Sequence, residues 1–291
     1  MFIIKIFKYF FQAIILYFFF IIIRIIGLTL SRKYFSFLFN IIGPALKSEL
    51  TINNNLEKFL GPHNDVLKKD IKFKMWNNYG KIFVEYLYLK KFRNSNSHIK
   101  IKGENFLNKI KENNKPVIFV SGHFANFELM AMELTKRNIN LATIYRPLNN
   151  FFLNPFMEYL RKKYICKNQI KKGLAGVKTS IHYIKKNFSI AIMIDQRVSE
   201  GKKLPLFENM ALTSTIPAQM ALKFNLDIVP VYITRKPNNN FEIEIYEPIK
   251  IETSSDKETN KLNISIKLNK ILEEMISQNP GQWIWTHNRW K

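Results

Sequence analysis

A chain of 291 residues, 47% of them apolar, can bury a sizeable core in one large domain or two small ones, and is too apolar to be disordered. Its formal net charge of +23 calls for an anionic partner: nucleic acid, anionic lipid or an acidic protein. The single cysteine, Cys166, excludes an internal disulfide and a cysteine metal cluster and fits a reducing compartment.

The first elements in the chain are apolar. Residues 1–50 hold ten of the 25 phenylalanines and one acid, Glu49. "YFFQAIILYFFFIII" (Tyr9 to Ile23) and "IIGLTL" after Arg24 make a run about as long as a bilayer needs, roughly 20 residues. No small-residue cleavage site follows it, so a signal peptide is not expected. The bland alternative is a buried core helix; another is a helix lying in the interface, with Arg24 reaching the headgroups. Basic residues flank both ends (Lys5 and Lys8, Arg32 and Lys33), so charge sets no orientation. The expectation is a membrane anchor over residues 1–45 and a folded domain over 46–291.

From about Leu46 to Leu89 the pattern is helical, interrupted at Gly61-Pro62. Strand-like runs then alternate with helix-like ones. The strands are 116–121, 141–145, 190–195, 228–233 and 241–246; the helices are 124–137, 151–164, 175–186, 215–224 and about 260–278. This order predicts an α/β fold, with a mixed, mostly parallel sheet flanked by helices. Pro230 within a strand run predicts an edge or a bulge. Sites in such sheets gather past the C-terminal strand ends, where His123, Arg146 and Asp195 fall.

His123 stands at one of these corners, in "IFVSGHFANFELMAMEL", with Glu128 five residues on. A lone histidine beside a helix start is more often a cap or a satisfied core residue. Here a Ser-Gly turn precedes it and an acid follows at a spacing that no other histidine shares. Such a pair suits general-base catalysis: neutral imidazole takes a proton, and a carboxylate on the other ring nitrogen fixes the tautomer. No G-x-S-x-G accompanies it and nothing places Cys166 beside a histidine, so the proton donor is a substrate hydroxyl. Backbone N–H groups at the expected helix start, Phe124, would serve an oxyanion.

"HFANFE" is an H-x4-[D/E] block of the kind shared by glycerolipid and lipid A acyltransferases. With "YRPLNN" (145–150), "IDQ" (194–196), "PLFENMALTST" (205–215), "IVPVY" (228–232) and "PGQWIWTHNRWK" (280–291) in this order, the chain resembles the lipid A biosynthesis late acyltransferases, the lauroyl/myristoyl group. The resemblance implies a glycerolipid acyltransferase-like fold on the inner, cytoplasmic membrane, facing the cytosol. It implies transfer of a fatty acyl group from acyl carrier protein to a hydroxyl of a lipid A precursor. No metal and no cofactor is expected beyond the acyl carrier protein co-substrate. Carried onto this chain, His123 is the base and Glu128 its partner. Arg146, Arg161 (or its neighbours Lys162 and Lys163), Asp195 and Gln196 are substrate-binding candidates. For Arg146 a surface salt bridge, and for Asp195 a cap, are the bland alternatives. The chain departs from the pattern in "DQRVSEGKKLPLFE", where a more neutral loop is expected, which bears on the acceptor.

A glycerophospholipid acyltransferase would carry an "FPEGTR"-like block, which the sequence lacks; a mannolipid acyltransferase is closer. A membrane-anchored basic binding protein is the non-enzyme alternative, but the basic residues are scattered and form no nucleic-acid motif, so no nucleic acid is expected among the partners. Trp283, Trp285 and Trp290 read as a tail folded onto the core or as an interfacial patch.

Overall fold

The computed structural model describes residues 2–251 and 255–291. It opens with helix α1, Phe2–Leu46, broken at Gly27, where a left-handed φ of 82° divides it into two halves. Only glycine adopts that conformation at little cost. Its most apolar 18-residue window has a mean hydropathy of 2.6 and is 11% buried, so it is not a core helix; by length and composition it could cross a membrane. The first half nevertheless lies along the protein rather than apart from it. Tyr17 donates to the Phe152 carbonyl at 3.1 Å, Asn150 Nδ2 donates to the Tyr9 carbonyl at 2.9 Å, and Phe10 packs edge-on against Phe152.

Helices α2 (Glu49–Leu60) and α3 (Asp65–Glu85) follow. The second half of α1 crosses α3 so closely that a Cβ at Gly80 would lie 2.2 Å from the Phe35 carbonyl oxygen. The crossing carries a buried ionic cluster. Glu85 takes Arg32 Nε at 2.8 Å, the Arg235 guanidinium and Asn126 Nδ2 at 2.9 Å. Burial alone would raise the Glu85 carboxyl, but Arg235, Arg32 and Asn126 hold it below the usual range.

After α4 (Leu89–Arg93) come β1 (Ile99–Lys102), α5 (Glu104–Glu112), β2 (Ile118–Ser121), α6 (Glu128–Lys136) and β3 (Leu141–Tyr145). Next are α7 (Asn154–Leu160), a wider π-type turn (Arg161–Ile165), β4 (Asn168–Lys171), α8 (Leu174–Lys185) and β5 (Ser189–Met193). A hairpin, β6 (Lys202–Leu206) and β7 (Asn209–Thr213), stands apart from the main sheet. α9 (Ile216–Phe224), β8 (Ile228–Arg235), β9 (Phe241–Ile245) and α10 (Lys257–Gln278) follow, and a short 3-10 turn at Pro280–Gln282 leads into the tail.

Seven strands form one sheet in the order β1-β9-β8-β2-β5-β3-β4, all pairs parallel except β8 with β9. The fold is thus α/β, a mostly parallel mixed sheet between helices, with a long apolar N-terminal helix. The central strands β2, β5 and β8 are buried on both faces, as strands covered by helices on both sides require, whereas β1, β4 and β9 carry polar residues. Pro230 is not on an edge strand. It sits where β8 changes partner: Ile228–Pro230 pair with β2, and Val231–Arg235 pair with β9.

Candidate active site

Four neighbouring strands, β2, β5, β3 and β4, end at the same side of the sheet, and each delivers a polar side chain just past its last residue. β2 leads to His123, β5 to Asp195, Gln196 and Arg197, β3 to Arg146 and β4 to Lys172. The register makes the last two neighbours: Tyr145 pairs with Lys171, and Lys172 N donates to the Tyr145 carbonyl at 2.8 Å.

The turn from β2 to α6 is not helical from Phe124, as the sequence pattern predicts. Residues 122–127 form an irregular loop, with Ala125 at φ 43°, and the helix starts only at Glu128. The Phe124 and Ala125 N–H groups are spent on the Gly122 and Gln282 carbonyls, so they do not form the expected oxyanion donors. The loop also decides which carboxylate His123 meets. Its ring Nδ1 lies 2.8 Å from Asp195 Oδ1, and its backbone N–H donates to Asp195 Oδ2 at 2.7 Å. The predicted pairing with Glu128 is therefore corrected. The Glu128 carboxylate is held instead by the Tyr86 hydroxyl and by Arg161, whose Nε and Nη2 lie 2.8 and 2.7 Å away.

Asp195 is fully buried and also accepts Trp283 Nε1 at 2.9 Å. Burial pushes its carboxyl up, but the His123 ring, the His123 backbone N–H and Trp283 outweigh this and keep it below the ordinary aspartate value. An ionised carboxylate only accepts hydrogen bonds. Nδ1 of His123 therefore carries the proton and Nε2 keeps the free lone pair. The Phe127 ring packs edge-on against the imidazole, with centroids 4.6 Å apart.

His123, Glu128, Arg146, Arg161 and Gln196 all line one cavity of about 490 Å³. Asp195 stands behind His123. Away from these polar groups the wall is mostly apolar, from Met130 and Ala131 of α6, Ile144 of β3, Ile165, Val177 of α8 and Met193 of β5. Arg146 is exposed and joins no ion pair among the described residues, so it is not the surface salt bridge of the bland reading. Arg161, not Lys162 or Lys163, is the basic residue that reaches the cavity from the π-type turn; its Nη1 is buried there without a partner. No group of three or more His, Cys, Asp or Glu among the described residues could hold a metal ion.

Three contributors went unread in the sequence. Tyr86 is far from the motif in the chain, and Lys172 follows a short strand, β4, too polar to look like one. His287 also lines the cavity; its "WTHNRW" setting points to the tail rather than to a site. That tail folds onto the core: Trp283 and Trp285 are buried, and Arg289, fully buried, donates to the Leu212 carbonyl and to Thr213 Oγ1.

The model of the bacterial lipid A biosynthesis acyltransferase family matches residues 4–291. The chain belongs to that family. Comparison with curated proteins returns no match. Membership makes the protein an acyltransferase of lipid A synthesis with a lipid A precursor as substrate, and the exposed apolar α1 is compatible with membrane association.

Proposed function

We propose that the protein transfers a fatty acyl group from acyl carrier protein to a hydroxyl of a lipid A precursor, at the cytosolic face of the inner membrane. The observation that carries this reading is the His123–Asp195 pair at the wall of a largely apolar cavity. The acceptor hydroxyl gives its proton to His123 Nε2 while its oxygen attacks the thioester carbonyl carbon. Asp195 stabilises the imidazolium through Nδ1–H. The tetrahedral oxyanion collapses, the carbon–sulfur bond breaks, and the proton passes from Nε2 to the departing thiolate. Arg161, which lines the same cavity, supplies positive charge toward the oxyanion. Glu128 serves by holding Arg161 in place rather than by touching the histidine.

The surroundings support the same reading. The apolar wall suits an acyl chain. Exposed Leu148 lies on the cavity rim, and exposed Phe151, three residues on, packs edge-on against Tyr9 of α1, so a lipid acceptor can enter from the side of the apolar helix. The strong positive charge favours both acidic carrier protein and anionic lipid.

The test is a transfer assay in detergent, with acyl carrier protein thioester and tetra-acylated, Kdo-bearing precursor, read by mass spectrometry. One added acyl mass is expected. An intact protein that leaves this precursor unacylated but acylates a glycerophospholipid or a mannolipid would overturn the acceptor assignment.

A further inference from the structure

We infer that Arg146, Lys172, Arg197 and His287 form a phosphate-ester subsite that opens into the catalytic cavity. The inference rests on the acyl-transfer reading and adds to it where one substrate's phosphate is held. A second cavity, of about 330 Å³, shares Arg146, Lys172, Val198 and His287 with the main one and is completed by Arg197, Ser199, Glu200, Asn288 and Lys291. Its side chains carry four cations, Arg146, Lys172, Arg197 and Lys291, against one carboxylate, Glu200.

The fold itself brings these cations together. β3 and β4 end in register, so Arg146 and Lys172 leave the sheet side by side. The β5 end adds Arg197, whose Nε donates to the Lys291 carbonyl oxygen at 3.1 Å. None of Arg146, Lys172 and Arg197 joins an ion pair among the described residues. Like charges so close repel: partial burial and the neighbouring Arg146 both lower the Lys172 ammonium. A cluster whose guanidinium and ammonium groups outnumber its one side-chain carboxylate, Glu200, gains from a bound phosphate, through charge-assisted hydrogen bonds. At the joint between the two cavities stands His287. Its Nδ1 is buried without a partner, and burial lowers its pKa, so it is a neutral ring with one N–H to give. α8 begins at Leu174, directly after Lys172-Gly173, with no side-chain cap, so its positive dipole end adds to the cationic wall.

Two substrates of the proposed reaction carry phosphate: the thioester donor, in its prosthetic arm, and the acceptor lipid. Steady-state kinetics of the full-length chain in detergent separates them. Wild type, Arg146→Gln, Lys172→Gln and Arg197→Gln are assayed with carrier-bound donor and with a short acyl thioester lacking phosphate, and with phosphorylated and dephosphorylated acceptor. The expected result is a KM raised about tenfold or more for one phosphate-bearing substrate, with the penalty gone for its phosphate-free counterpart. A donor-side effect assigns the subsite to the prosthetic arm; an acceptor-side effect assigns it to the lipid. Equal losses with and without phosphate, or no loss, overturn the proposal. Should wild type transfer no acyl group, the function fails by itself. The subsite is then judged by thermal stabilisation with inorganic pyrophosphate: stabilisation lost in Lys172→Gln sustains it, and stabilisation unchanged in that variant overturns it.

Discussion

Asp195 holds His123 twice, accepting the backbone N–H at 2.7 Å and the ring Nδ1 at 2.8 Å. One buried carboxylate thereby fixes both the position of the loop and the tautomer of the ring. Asp195→Asn keeps the size of the side chain but can present its amide N–H to Nδ1, which reverses the tautomer and protonates Nε2 instead. We expect Asp195→Asn and His123→Ala each to lower kcat by about a hundredfold or more, with the two effects far from additive. A single-turnover measurement of acyl transfer checks this. An Asp195→Asn enzyme with undiminished kcat would remove Asp195 from the mechanism.

Glu128 and Arg161 form a nearly buried pair beside the same cavity. Removing one partner leaves an uncompensated charge, at a cost of about 3–5 kcal/mol, whereas removing both costs less. Glu128→Gln and Arg161→Met should therefore each lower stability strongly, and the double variant should lose less than the sum of the two. Denaturant unfolding in detergent reads the cycle. Additive losses would show that the two side chains are not coupled.

His123 and Glu128 show where the sequence stops being legible. The H-x4-[D/E] spacing marks both residues as belonging to the site, and both do line the cavity. The spacing also suggests that they touch, because a helix from Phe124 would turn the carboxylate toward the ring. The chain instead spends residues 122–127 on a loop with Ala125 at positive φ, a choice set by the Gln282 carbonyl, 157 positions from Ala125. The alternation of strand-like and helix-like runs revealed the order of elements along the chain and hence which residues lie past strand ends. It missed the edge strands β1 and β4, whose four-residue, polar sequences carry little pattern, and the hairpin β6–β7. Which strands are neighbours is fixed by packing across the sheet, so the approach of Asp195 to His123 and of Lys172 to Arg146 was not in the local sequence.

Glu85 lies at the meeting of α1, α3, β8 and the active-site loop, where it takes two arginines and Asn126. Glu85→Gln would leave Arg32 and Arg235 facing each other without a counter-charge in a buried place. We expect a loss of about 3–5 kcal/mol of stability. Asn126 is three residues from His123, so kcat should fall as well, while Arg32→Met in the same background restores part of the stability. Thermal unfolding alongside the transfer assay checks both effects. Unchanged stability in Glu85→Gln would mean that the cluster contributes little.

His98 makes stability depend on pH well away from the active site. Its ring is buried against Phe92, with centroids 4.8 Å apart, and neither ring nitrogen has a hydrogen-bond partner. The charged groups facing it are Glu133, 3.8 Å from Nε2, then Lys136, Arg32 and Glu85. Burial dominates and pushes its pKa down to about 4, from an unfolded value of about 6.5. Between these values the unfolded chain binds a proton that the folded protein refuses. The contribution of His98 is therefore fully present above pH 6.5 and is lost as pH falls toward 4. Between pH 7 and pH 5 the loss should be about 1–2 kcal/mol, and His98→Phe, which keeps the stacking on Phe92, should abolish that part of it. Carboxylates held low, such as Asp195 and Glu85, lose their contribution only at lower pH and are common to both proteins. Denaturant unfolding of wild type and His98→Phe at pH 7 and pH 5 gives the comparison. An equal loss in the two proteins would place the acid sensitivity elsewhere.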